Sequence, residues 1–165
     1  MRPTSWPRTV AIGLLFGALF KLVMKAVVMP LLGAPPVNAP YHYIAGNAAA
    51  LPYILFAVII GAGFGEETVF RGFLFERLGK LLGTDWRAKM AIVVITTALF
   101  ASAHYPDQGT PGVEQAVFAG LVFGGIYART GELFMLMVAH AAFDVMAVAL
   151  IYWNLELPVA HLFFR

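Results

Sequence analysis

The chain contains no cysteine. That excludes disulfides, thiolate nucleophiles and Cys-based metal sites. Charge is scarce as well. Asp, Glu, Lys and Arg make up 12% of the 165 residues, about half the share in a soluble domain. The net charge is only +2, so the pI near 9.0 carries no nucleic-acid signal. The His-Glu-x-x-His motif of soluble metalloproteases and the Gly-x-Ser-x-Gly elbow of serine hydrolases are both missing. Gly61, Gly63 and Gly65 are not followed by Lys-Ser/Thr, so they form no phosphate loop. They suit close helix approach, or a local break that admits water. There is no internal repeat and no low-complexity tract.

What remains is apolar. Hydrophobic residues make up 61% of the chain and the mean hydropathy is +0.80, values of an integral membrane protein. The length suits one membrane domain, residues 1–165, rather than two. Apolar runs predict an all-α polytopic transmembrane bundle of about five spanning helices. They cover about Thr9–Leu32, Ala48–Phe70, Met90–His104, Val113–Ala128 and Leu133–Trp153. Lys21 and Lys25 interrupt the first run, which is too long for a signal-peptide core and is read as a span. Both lysines are expected to snorkel outward, the alternative being that one of them pairs with a site carboxylate.

The connections carry the topology. Gly33–Asn47 has three prolines and no Lys or Arg. Gly72–Lys89 holds Arg77, Lys80, Arg87 and Lys89, with Phe73, Leu74, Leu78, Leu81 and Leu82 at helical spacing. It reads as a helix along the cytoplasmic surface. Arg2, Arg8 and Arg129 add to the same side, so the N-terminus is expected in the cytoplasm and the C-terminus outside. Trp6 and Trp153 suit the two membrane interfaces. Gly120-x-x-x-Gly124 is a small-residue face for internal packing or a dimer seam.

Against this background the ionisable residues stand out, because each costs roughly 2.5–3.5 kcal/mol or more at membrane depth. Glu66, Glu67 and Arg71 lie within six positions of one apolar run. Glu67 and Arg71 are four apart and share a helix face, so they can pair. Glu66 is turned about 100° away and left for another task. Phe100 and His104 are four apart, as are His140 and Asp144. A carboxylate one turn from a histidine can fix its tautomer. Measured from the predicted helix starts, Glu66 and His140 fall in the cytoplasmic half and His104 near or past the middle. That match improves if the third helix starts later. Two acids and two histidines suit hydrolysis: Glu66 takes a proton from water, and a histidine holds the water, protonates a leaving amine or helps bind a metal. His42 and His161 fall in loops or tails and receive no role.

Glu66-Glu67-x-x-x-Arg71, Phe100-x-x-x-His104 and His140-x-x-x-Asp144 resemble the three ordered motifs of the CPBP family. This family holds CAAX prenyl endopeptidases and bacterial bacteriocin-processing or immunity (Abi) proteins. The resemblance covers about residues 51–149. It implies an intramembrane endopeptidase acting on a membrane-associated peptide or protein, with lipids and no nucleic acid as other partners. The alternative is a non-catalytic immunity or scaffold protein of the same fold. The setting it implies is a bacterial inner membrane. Glu66 would be the base, with His104 sharing its water. Glu67 and Arg71 would support the first motif, and His140 and residue 144 would face the oxyanion. The prenyl-protease branch has Asn where this chain has Asp144. An ionised Asp cannot donate to an oxyanion, so Asp144 orients His140, binds a metal or is held protonated. The resemblance is compatible with one divalent metal such as zinc on Glu66, His104, His140 and Asp144, and equally with a metal-free glutamate mechanism.

Overall fold

In a bilayer no water satisfies the backbone, so each apolar run closes its hydrogen bonds within a helix. The computed structural model follows this rule over the residues it describes, 5–164, among which there is no strand. Arg2 lies outside them. Four helical elements are long and apolar enough to cross a membrane: α1 (Trp6–Leu31), α2 (Leu51–Leu82), α3 (Trp86–Thr130) and α4 (Leu133–Tyr152). A short α5 (Glu156–Ala160) follows.

The five expected spans are nonetheless present, because α3 is two arms. Gly109 has φ 62° and ψ −158°, a conformation open essentially to glycine alone. Beyond it the chain doubles back. The Lys89 ammonium donates to the Ala128 carbonyl at 3.0 Å. Gly124 packs on Val93 and Gly120 on Thr97, and Ala116 shares a core cluster with Ala101. Each four-residue step along one arm is matched by a four-residue step back along the other, which places the turn at 108–109. The Gly120–Gly124 face is therefore the seam inside this hairpin.

The amphipathic helix expected within 72–89 is present to Leu82, but it is continuous with α2 rather than separate from it. The backbone stays right-handed helical through Phe75 (φ −58°, ψ −42°), so this stretch is the end of α2. Its Phe75 packs into a cluster with Ile92, Val93 and Ala128. Leu81 and Leu82 at its end stay exposed. Gly83 ends the helix, and the Asp85 carboxylate caps α3 by accepting from the Ala88 N–H at 2.8 Å.

α4 is the central element. Gly13 and Gly17 of α1 lie against Met135, Val138 and Ala139, and Gly63 of α2 lies against Ala141. A β-carbon added at Gly63 would sit 2.7 Å from the Ala141 β-carbon and 2.9 Å from its backbone. Gly63→Ala is therefore expected to lower stability by about 1–3 kcal/mol, read as thermal unfolding in detergent. Gly125→Ala, where nothing lies within 4 Å, serves as the control. Equal stability of the two variants refutes the close-approach reading. Outward faces carry Leu14, Leu19, Phe56, Ile60, Val94 and Leu99, as apolar as the interior, as a lipid-facing surface requires.

Candidate active site

α2 is wound wider than an ordinary α-helix over Ala57–Glu66 and again over Thr68–Leu74. Such π-turns are frequent at functional sites. Here they bracket the acid pair. Glu67 is fully buried, and its Oε1 accepts from the Arg71 guanidinium at 2.8 Å. Arg71, also buried, lies 4.8 Å from the centre of the Phe100 ring and reaches the Gly120 carbonyl at 3.5 Å. The ion pair thus ties α2 to both arms of α3.

The same Glu67 Oε1 accepts from His140 Nδ1 at 2.8 Å. This bond spans 73 positions in sequence, and it assigns the His140 tautomer. Asp144, expected to do so, faces the other nitrogen: its Oδ2 lies 3.6 Å from His140 Nε2, beyond hydrogen-bond range. Glu66 Oε2 lies 3.8 Å from that same Nε2. Asp144 thus stays at ion-pair distance from the ring, while Glu67 takes over the tautomer-fixing role. The i,i+4 spacing put the two residues on one face, but the ring turns Nδ1 toward α2.

His104 is oriented by its own helix. Its Nδ1 lies 2.8 Å from the Phe100 carbonyl. A carbonyl only accepts, so Nδ1 carries the proton, and in the neutral ring Nε2 is left with a lone pair. The ring packs on Phe100, centroids 4.5 Å apart.

These groups meet at one cavity of about 370 Å³, lined by Glu66, His104, His140 and Asp144. The structure therefore brings together four of the six expected residues at the cavity wall, with Glu67 and Arg71 behind them. Glu66 Oε2 is buried and has no hydrogen-bond partner, an oxygen that a water or substrate group would satisfy. The arm carrying His104 begins earlier than expected, at Trp86, and the groups still meet. The helix starts are staggered, because α2 runs on to Leu82. Depth counted from helix starts is a poor ruler for that reason.

The cavity wall also holds Lys21, Gln108 and Gln115, of which Lys21 alone stands out in the sequence. Lys21 does not snorkel. It is buried and donates to Gln115 Oε1 at 2.6 Å, across 94 positions. Lys25 does not snorkel either: it pairs with Glu156 at 2.8 Å. Lysines inside an apolar run were a visible signal, but their partners lie too far along the chain for any local rule to name.

The segment 38–44 lines one end of the cavity through Asn38, Tyr41 and Ile44. Glu156 accepts from the Asn38 N–H at 3.0 Å as well as from Lys25, which fastens this segment to α1 and α5. Burial, with Asp107 nearby, pushes the Tyr41 phenol above its ordinary value. The phenol stays neutral at the cavity mouth.

Among the described residues, no group of three or more His, Asp or Glu side chains is set to hold a metal ion.

Residues 48–146 match a protein family described as Type II CAAX prenyl endopeptidase Rce1-like. No curated protein and no solved structure matches the chain.

Proposed function

Because the chain belongs to the Type II CAAX prenyl endopeptidase Rce1-like family and is an integral membrane protein, we propose that it is an intramembrane endopeptidase whose base is Glu66. The observation that carries the reading is the unpartnered Glu66 Oε2 beside His140 in a cavity shared with His104. A water between Glu66 and the His104 Nε2 lone pair meets two acceptors. Glu66 takes one proton as the water oxygen attacks the peptide carbonyl carbon. With a proton on both nitrogens, His140 donates from Nδ1 to Glu67 and from Nε2 to the oxyanion that forms. Glu66 then returns its proton to the leaving amine. Glu67 and Arg71 act on His140 rather than on substrate. Asp144 flanks Nε2 and offsets the positive charge there.

The test is cleavage of a membrane-peptide library by purified protein in detergent, with and without chelator. Cleavage that survives the chelator and disappears in Glu66→Gln supports the mechanism. Loss on chelation overturns its metal-free step. Full biological activity of Glu66→Gln in cells overturns the enzyme reading in favour of a silent immunity or scaffold protein.

The direction of substrate access follows from charge. Arg8, Arg77, Lys80, Arg87, Lys89 and Arg129 gather at one end of the bundle, whereas segments 33–50, 105–116 and 153–164 contain no Lys or Arg. From Glu66 the cavity runs toward the second end, past Gly61, Ala147 and Ile54 to Tyr41. With the basic end in the cytoplasm, the site takes substrate from the outer face or laterally, not from the cytoplasm. The absence of cysteine makes this easy to measure. In intact cells, a membrane-impermeant maleimide is expected to label Ala48→Cys and spare Thr84→Cys. The reverse pattern turns the protein over.

A further inference from the structure

Two lysines one helical turn apart on α1 are treated differently by the fold. Lys25 has a carboxylate partner, Glu156 at 2.8 Å. Lys21 has none. Among the described residues no carboxylate lies within ion-pair distance of it, and its hydrogen-bond partner is the neutral Gln115. Its ammonium also sits 4.8 Å from the centre of the Phe143 ring. The charged groups that act on it are Asp144 on α4, Lys25 on α1 and Glu156 on α5. Lys21 is 6% exposed. An ammonium has three donors, and one is satisfied here. Keeping such a group buried with no carboxylate in direct contact is costly, unless something that arrives later supplies one.

Lys21 stands where something can arrive. It lines the cavity that holds Glu66 and His140, and it also lines a smaller cavity of about 130 Å³ beneath Pro35, Asn38 and Pro40. It therefore marks the junction of the two. Arg71, the nearest comparable cation on α2, is already held by Glu67. Lys21 is thus the wall cation left for a ligand anion, and the apolar stretch between it and Glu66 (Ala62, Ala119, Phe143) suits a short apolar peptide segment.

We propose that Lys21, backed by Gln115, is a specificity site that binds a carboxylate of the peptide substrate on one side of the bond to be cut. The carboxylate belongs either to the peptide's C-terminus or to an acidic side chain. This rests on the endopeptidase reading only for the ligand's being a peptide.

The experiment measures binding and cleavage separately. Binding is followed by fluorescence anisotropy of labelled apolar hexapeptides on the detergent-purified full chain carrying Glu66→Gln. One peptide has a free C-terminal carboxylate, a second is amidated, and a third is amidated with one internal Asp. The free acid or the Asp peptide is expected to bind at least about tenfold more tightly than the plain amide, the scale of one hydrogen bond to a charged group. Which of the two does so names the carboxylate's source. In Lys21→Met the preference disappears, and in Lys21→Arg it persists. If the three peptides bind alike, or the preference survives Lys21→Met, the site is refuted. The comparison of peptides on a chain that retains Lys21 decides the matter even where Lys21→Met fails to fold. Cleavage by the chain with Glu66 intact separates the two readings. Equal cutting of all three peptides sinks the carboxylate site and leaves the enzyme standing. Preferential binding with no cutting does the reverse.

Discussion

Glu66→Gln is expected to lower peptide cleavage by at least ~10²–10⁴-fold, the usual worth of a positioned base, while the protein elutes and melts like the parent. The two halves of that result come from the same geometry. Glu66 Oε2 has no hydrogen-bond partner to lose. Its side chain remains one-third accessible, whereas that of Glu67 is sealed. An amide of the same shape fills the same space at the cavity wall. It cannot take a proton from water, so the water that His104 helps to hold is no longer activated. The measurement is the single-turnover rate on a peptide that the parent cleaves, with thermal unfolding as the control. A variant that unfolds far below the parent makes Glu66 a structural acid. A variant that cleaves at the parental rate removes it as the base.

Glu67→Gln is expected to do the opposite to stability. One oxygen of Glu67 accepts from both Arg71 and His140, and the carboxylate and guanidinium are almost wholly buried. Replacing the acid leaves the guanidinium against Phe100 with a neutral partner. Breaking a buried pair in this way costs about 3–5 kcal/mol. The melting temperature in detergent should fall by several degrees or more, and activity with it, because His140 loses the group that holds Nδ1. Arg71→Met is the companion. It removes the cation instead, and it should destabilise for the same reason read from the other partner. If Glu67→Gln melts like the parent, the pair is not the brace between α2 and α3 that its burial implies.

Some of this could be read along the chain. Helix periodicity joins residues three and four apart, so the Glu67–Arg71 pair was legible, as was the separation of Glu66 from it. The number of spanning arms was legible too, because apolar length is a one-dimensional property. The hairpin turn left a gap in apolarity between the third and fourth runs. The amphipathic helix within 72–89 was legible as well, but its continuity with α2 was not. Amphipathic spacing shows that a stretch has a wet face, but not whether its backbone continues the helix before it, as it does here.

Partner choice between helices was not legible. The bonds from His140 to Glu67, from Lys21 to Gln115 and from Lys25 to Glu156 span 73, 94 and 131 positions. Each depends on how far two helices are rotated and slid against each other. That is decided by close approaches such as Gly63 on Ala141 and Gly17 on Ala139. By itself the sequence determined which polar groups must leave the lipid, since their solvation cost is a property of residue type. Only the tertiary structure decided which of them meet. It paired Nδ1 of His140 with the buried acid, and it left Lys21 with an amide and an open cavity. In a low-dielectric interior a hydrogen bond requires its partner within about 3 Å and correctly aimed, and only the packed helices supply that.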